Sequence, residues 1–471
     1  MTEVKWIDEV EKRQEELIHD TQKLLQIKSV LDDPSPEAPL GVGVKEALEF
    51  MLQMGEKDGF RTKNVGNLAG HIEFGEGDES IGILCHVDVV PEGDGWSSDP
   101  YGAEIRDGKI FARGAIDDKG PTMAAYYAMK IVKELGLPVG KRVRMIIGTD
   151  EESEWRCVKH YFEHEEMPIV GFAPDADFPI IFAEKGIVDF DLVQKDVKKN
   201  VNNDELKMEL IRFESGRRYN MVPDFAKAAV HVKVDNTNFI QKYDDFRKKH
   251  ALKGKCYVDN GELILELEGV SAHGMEPNNG KNAGLFLIKF LHENNEDPCA
   301  ATFLNSAVEF FYGDTRGSNL GVSFQDDISG ELTINVGKLA YDPLNGGTFG
   351  LNLRYPVKND MEATKNQLAE VVTKQGFSIQ NYSDSKPHHV DENSQLIQVL
   401  KKVYEEQTGE KAELLAIGGG TYARSLSSGV AFGPLFPGRE NIAHQKDEYM
   451  YIDDLIKATA IYAQAIYELA K

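Results

Sequence analysis

The stretch Leu84-Cys85-His86-Val87-Asp88-Val89-Val90-Pro91-Glu92-Gly93-Asp94-Gly95 decides how this chain is read. The apolar run that leads into it, Ile81 to Cys85, has no polar residue to alternate with and reads as a strand buried on both faces. It stops at His86-Val87-Asp88 and loosens into a Pro/Gly loop. Residues i and i+2 of a strand point to the same face, so His86 and Asp88 project together. An imidazole beside a carboxylate at the mouth of a sheet suits a metal ion or a proton relay. It equally suits an ordinary polar strand end.

Working outward, the same event recurs. The strand Arg144 to Gly148 ends in Thr149-Asp150-Glu151-Glu152, and Ile169 to Ala173 ends in Pro174-Asp175-Ala176-Asp177. The strand Gly108 to Arg113 is followed by Asp117-Asp118 and then by a helix, TMAAYYAMKIVKELG, with Pro121 near its first turn and Gly136 near its stop. Strand, helix and strand in succession predict an α/β sheet covered by helices. Ligands of open α/β sheets bind outside the carboxyl ends of the strands. One acidic strand end is ordinary turn chemistry. Four at one rim concentrate negative charge that a cation would offset. Glu151 and Glu152, if extended, face opposite ways, so one could bind metal while its neighbour serves a water as general base. Capping of the next helix explains the same dipeptide.

Further out, apolar residues at helical spacing predict a helix over Ile7 to Ile27. A Pro-rich loop, PSPEAP, and a second helix over Val44 to Met54 follow, then strands Lys63 to Phe74 and Ser80 to Cys85. From about Gly186 the pattern changes to alternating strands (Val188 to Val193, Ala228 to Val234, Leu263 to Leu267), a helix after Asn282 and a turn and strand at Gly346 to Arg354. The last part returns to the first style, with a helix from Ser394 to Gln407, a strand-like Val430 to Phe436 and a closing helix from Asp453. The expected architecture is a catalytic α/β domain, a mixed sheet sandwiched by helices, built from residues 1–185 and 384–471. It is interrupted by a large α+β domain over residues 186–383.

Length and composition agree. At 471 residues two domains are expected rather than one. With 53 basic against 78 acidic residues and a formal charge of −25, nucleic acid and anionic membranes are excluded as partners. Divalent cations and ligands with a free amino group stay compatible. The four cysteines, Cys85, Cys157, Cys256 and Cys299, form no CxxC pair and read as neither a disulfide framework nor a zinc knuckle. No apolar window reaches the length of a membrane span, and the charged N-terminal segment lacks a signal core, so the cytoplasm is the expected location.

The blocks HVDVVPEGDGW at 86–96, ARGAIDDKGP at 112–121, GTDEES at 148–153 and APDADFP at 173–179 resemble the signatures of the dinuclear-metal aminoacyl hydrolases. That superfamily holds acetylornithine deacetylase, succinyl-diaminopimelate desuccinylase, carboxypeptidase G and carnosinase. RYNMVPD at 218–224, HGMEP at 273–277 and GGGTYAR at 418–424 bring the chain closest to the bacterial peptidase V dipeptidases. The resemblance implies His86, Asp117, Glu152, Asp175 and His444 as ligands of two divalent ions, zinc first, with manganese or cobalt as alternatives. Asp117 would bridge the ions, Asp88 would hold the His86 ring, and Glu151 would be the general base. Asp118 and Asp177 are the competing choices beside Asp117 and Asp175, and either could read a substrate amino group. In the inserted domain, a substrate-binding lid, Asn220 and Arg354 would bind the peptide carboxylate and His273 the oxyanion. The loop of Gly418, Gly419, Gly420 and Thr421 could also hold a carboxylate, or could be a plain turn.

The implied activity is hydrolysis of unblocked dipeptides, with a small peptide as the partner. A lid of double length implies a monomer. Three rival readings are a deacylase or carboxypeptidase of the same superfamily, an inactive scaffold relative, and a two-metal phosphoesterase. The complete ligand set disfavours the second, and the scarcity of basic residues near the motifs disfavours the third.

Overall fold

Seven consecutive buried residues, Ser80–His86, form a central strand of the first of two structural units. The computed structural model describes residues 4–195, 197, 208–232, 236–295 and 297–471. The first unit comprises residues up to Ala183 together with His389–Leu415 and Gly420–Lys471. The second comprises Glu184–His388 and Ala416–Gly419.

In the first unit the strands run in the order Arg61–Val65, Ala69–Phe74, Arg142–Gly148, Ser80–His86, Val170–Ala173, Gly429–Ala431. Ser80–His86 is parallel to both Arg142–Gly148 and Val170–Ala173, and His86 sits opposite Gly148. The first two strands form an antiparallel hairpin, which makes the sheet mixed. Strands covered on both faces cannot alternate polar with apolar residues, which is why Ile81, Ile83, Leu84, Met145, Ile146 and Ile147 are all fully buried. The cover includes the helices Lys119–Glu134 and Ile452–Ala470, which pack on each other and on Ser80–His86. The helix Val42–Lys57 buries Val44, Ala47, Leu48, Met51 and Leu52, a stripe at helical spacing.

Three sequence boundaries differ from expectation. The run Lys63 to Phe74 is two strands, because Gly66 (φ +67°) and Asn67 (φ +54°) adopt left-handed backbone and turn the chain back on itself. The N-terminal periodic segment is two helices, Trp6–Glu11 and Gln14–Leu25. The run Val430 to Phe436 is broken at Gly433 (φ +66°) before Pro434, which cannot donate to a ladder.

The second unit is built on an antiparallel sheet. Its order is Gly254–Asp259, Glu262–Glu268, Phe225–Val232, Met208–Ser215, Thr333–Asp342, Gly346–Tyr355, Gly186–Gln194, Phe377–Ser385. Gly186–Gln194 alternates strictly between buried and half-buried positions, the pattern of a strand with one covered face. Its core gathers Phe213, Phe303, Phe349 and Phe377 with Leu287 and Leu291. The helix Ala283–Asn294 starts at Asn282, whose side chain accepts from the Leu285 N–H at 3.1 Å. Among the described residues no helix is long and apolar enough to cross a membrane.

Candidate metal centre

The parallel strands of the first unit bring their polar ends to one rim. His86 ends its strand fully buried, and its Nδ1 donates to the backbone carbonyl of Asp88 at 3.1 Å. A carbonyl can only accept, so the proton sits on Nδ1 and Nε2 is left for another partner. Nε2 faces Asp117 Oδ1 at 3.2 Å and Asp175 Oδ1 at 3.7 Å, and it completes a hydrogen bond with neither. The other oxygen of Asp117, Oδ2, lies 3.0 Å from Nε2 of His444, and that nitrogen lies 2.9 Å from Glu152 Oε1. One carboxylate therefore spans two imidazoles. The donor atoms fall into two groups, His86 with Glu151 and Asp175, and Asp117 with Glu152 and His444, each within 4.8 Å.

The electrostatics follow from burial and crowding. Burial, then the charge of Asp175, pushes the Glu151 carboxyl well above the usual carboxylate range. Burial and Asp117 raise Glu152 to about 7. Asp117 is held low, because contact with His444 and His86 outweighs its burial. His444 is lifted to about 11, first by Asp117 and then by Glu152. Burial opposes a proton on His86, yet the carboxylates of Asp117, Asp175 and Asp88 raise it well above an ordinary histidine. Nitrogen and oxygen donors packed so closely, with a buried Nε2 lacking a hydrogen bond, fit a divalent ion that would displace these protons.

Several supporting residues were not singled out in the sequence. Glu448 is fully buried, paired with Arg113 at 2.5 Å, and its Oε1 accepts from the N–H groups of Ile116 (2.9 Å) and Asp117 (3.3 Å). It thereby fixes the backbone that presents Asp117. Arg113 also donates to the carbonyl of His444 at 3.3 Å, where the chain is left-handed (φ +64°). Trp155 donates its indole N–H to the Glu151 carbonyl at 2.6 Å. Tyr422 lies edge-on to His86 and fills a space that any side chain at Gly148 would occupy, since a Cβ there would sit 1.9 Å from its hydroxyl. Arg113 and Gly148 lie inside the quoted blocks and close predicted strands, but nothing in the pattern marks what they touch. Nothing in the spacing marks Glu448.

The competing aspartates are placed differently. Asp118 is fully buried, and its Oδ2 accepts from the His86 N–H at 3.1 Å and from the Thr122 hydroxyl at 3.2 Å. Enclosed in this way it cannot meet a substrate amine, which corrects one of the two expectations for that group. Asp177 lies in the short strand Ala176–Asp177, and burial raises its carboxyl. The carboxylate of Asp88 lies 3.4 Å from His86 Nδ1, but its Oδ2 accepts from the Glu152 N–H at 3.0 Å, tying the His86 strand end to the glutamate loop.

Within the second unit, Asn335 donates to the carbonyls of Tyr219 (2.7 Å) and Met221 (2.9 Å), bracketing Asn220. Met221 pairs with His273, whose Nδ1 accepts from the Met275 N–H at 3.2 Å and so leaves the ring proton on Nε2. Burial and then Arg354 hold His273 below an ordinary imidazole. Arg354 is buried and donates to Asn352 at 2.8 Å and to the Gly418 carbonyl at 2.9 Å. Gly419 also belongs to this unit, whereas Gly420 and Thr421 belong to the first. The Thr421 hydroxyl accepts from the Ala423 N–H and caps the short helix Tyr422–Ser425.

The first unit is an α/β fold whose sheet carries a rim of nitrogen and oxygen donors suited to metal ions. The chain belongs to Peptidase family M20/M25/M40, whose model matches residues 82–468. It is 55% identical over 468 residues, covering 99% of this chain and 100% of the relative, to a Bacillus subtilis (strain 168) protein named "Putative dipeptidase YtjP". A Staphylococcus haemolyticus protein of the same description is 47% identical over 466 residues, covering 98% and 99%. Among solved structures, human carnosine dipeptidase 1 aligns with a TM-score of 0.56 at 15% identity over 99% and 98% of the two chains. The aminoacylhistidine dipeptidase of Vibrio alginolyticus aligns with a TM-score of 0.58 at 14% identity over 96% of each. These two share the fold.

Proposed function

We propose that this peptidase is a metal-dependent dipeptidase that cleaves the single amide bond of an unblocked dipeptide. The observation that carries the reading is Asp117, whose two oxygens face two different imidazoles while Glu151 stands beside them. In this reading His86, Asp117 and Asp175 hold one ion, and His444, Asp117 and Glu152 hold a second. Zinc suits these nitrogen and oxygen donors, with manganese or cobalt as alternatives. When bound, the ions supply Lewis acidity that lowers the pKa of water and polarises the scissile carbonyl.

The chain's own groups do the rest. Glu151, whose burial makes its carboxylate more basic than an exposed one, takes the proton of the attacking water as the carboxylate and delivers it to the leaving amine nitrogen. Asp88 keeps the His86 ring in register through its backbone carbonyl. His273, with a proton on Nε2, is a donor for the oxyanion. Asn220 and Arg354 read the substrate carboxylate, for which a guanidinium has the matching fork. Asp177 remains the candidate for the substrate amino group. The reading includes a cytoplasmic monomer, which sedimentation would test. The test of substrate class is hydrolysis of a free dipeptide against its N-acetylated form. The free form should be cleaved at least about 100-fold faster in kcat/KM, because a site built to pair a charged amine rejects the analogue that lacks it. Faster cleavage of the blocked form would identify a deacylase or carboxypeptidase instead.

A further inference from the structure

The helix Arg156–His164 carries a second cluster of donors, at the end away from Glu151 and Glu152. His160, Glu163 and His164 stand at positions i, i+3 and i+4, which share one helix face. Their candidate ligand atoms lie within 4.8 Å of one another, and the two imidazole rings are 4.3 Å apart. The ring of His164 is already oriented, because its Nδ1 donates to the His160 carbonyl at 2.8 Å. That bond places the proton on Nδ1 and leaves Nε2 as a free acceptor, the state a metal-binding histidine needs. His160 is half-buried, and its ring stands next to the turn at Gly66, where an added Cβ would meet it. The helix ends at His164, and the partial negative charge of a helix C-terminus favours a cation.

We propose that His160, Glu163 and His164 form a peripheral transition-metal site, separate from the centre at Asp117. Two imidazoles and one carboxylate suit Zn²⁺, Ni²⁺ or Cu²⁺ over Mg²⁺ or Ca²⁺, and three protein ligands leave coordination positions for water. At about 1.5 Å per helical residue, His160, Glu163 and His164 stand roughly 6 to 12 Å along the helix from its start after the loop that carries Glu151 and Glu152. An ion there pins the last turn of the helix whose first turn follows that loop. No side chain of the proposed catalytic site takes part.

The test is equilibrium dialysis of the zinc-loaded enzyme against rising Zn²⁺, read by elemental analysis. The wild type should take up one equivalent beyond those of the centre. His164→Ala should weaken that equivalent at least about tenfold, while hydrolysis at saturating metal stays within about twofold. Glu163→Gln should weaken it less. His86→Ala separates the two sites, because it should lose metal from the centre and keep the outer equivalent. An outer equivalent that survives His164→Ala, or that disappears in His86→Ala, would overturn the proposal. So would a wild type with no uptake beyond the centre.

Discussion

Two strands, one from each unit, handle polar residues in opposite ways. In the first, Ser80–His86 is buried at every position, so a polar side chain has no solvent face to occupy until the strand ends. In the second, Gly186–Gln194 alternates, and a polar residue is accommodated at every other position. A polar group at the end of a doubly covered strand is therefore informative, and one on an alternating strand is not. The exceptions in the first unit confirm the cost of breaking the pattern. Within the buried strand Ala69–Phe74, Glu73 is held by Arg144 at 2.7 Å, and His71 meets the Tyr161 hydroxyl at 2.8 Å.

The sharpest break in this contrast is expected at Asp117. Asp117→Asn keeps the shape but removes the charge that faces both imidazoles, so turnover should fall by at least about 10³-fold with loss of bound metal. Retained activity would remove the shared carboxylate from the proposed mechanism. In the second unit the expected effect is smaller. Arg354→Lys keeps the charge but not the fork, and should raise KM for a dipeptide by roughly 10-fold to 100-fold with little change in kcat. A variant with unchanged KM would leave Arg354 a structural tie between Asn352 and Gly418.

The smallest effect tests the mid-strand exceptions. Burial, then Arg144, depresses His71 to about 4 in the folded protein, against about 6.5 when unfolded. Above pH 6.5 both states are neutral and nothing changes. As the pH falls from 6.5 towards 4, the unfolded chain takes the proton first and stability drops, by about 1 kcal/mol at pH 5.5. Urea unfolding of the wild type and of His71→Asn at pH 7.5 and 5.5 should show the wild type losing about 1 kcal/mol more than the variant between the two pH values, the other titrating groups being common to both. Equal slopes would mean that His71 is solvated.

This contrast also sets what could be read from sequence. The α/β class was legible, because apolar strands and amphipathic helices alternate visibly from Ser80 to Ala173. His86, Glu151, Glu152 and Asp175 were legible as a rim because each ends or closely follows a strand whose last residues are apolar, and Asp117 because it adds one more acidic group after a strand end. The choice between Asp117 and Asp118 was not. Neighbours of one type differ only in which way the backbone turns them, and Asp118 is turned inwards to Thr122. His444, Asn220, His273 and Arg354 came from motif resemblance rather than pattern, since the first three lie outside the strands and Arg354 sits inside a strand, Gly346–Tyr355, rather than at a strand end. Glu448 escaped both routes, because its role depends on a contact with Arg113 more than 300 residues away in sequence. The Gly66-Asn67 turn was missed inside what looked like one continuous strand, although that dipeptide is suited to left-handed backbone.

The central claim is a two-ion centre in which Glu151 moves the proton without holding the metal in place. Elemental analysis of the wild type and of Glu151→Gln, in parallel with dipeptide turnover, tests it most directly. After removal of weakly bound metal, both proteins should retain two divalent ions per chain, and the variant should lose turnover by about 10²-fold to 10⁴-fold. One ion per chain in the wild type, or a variant that sheds its metal or keeps its activity, would contradict it.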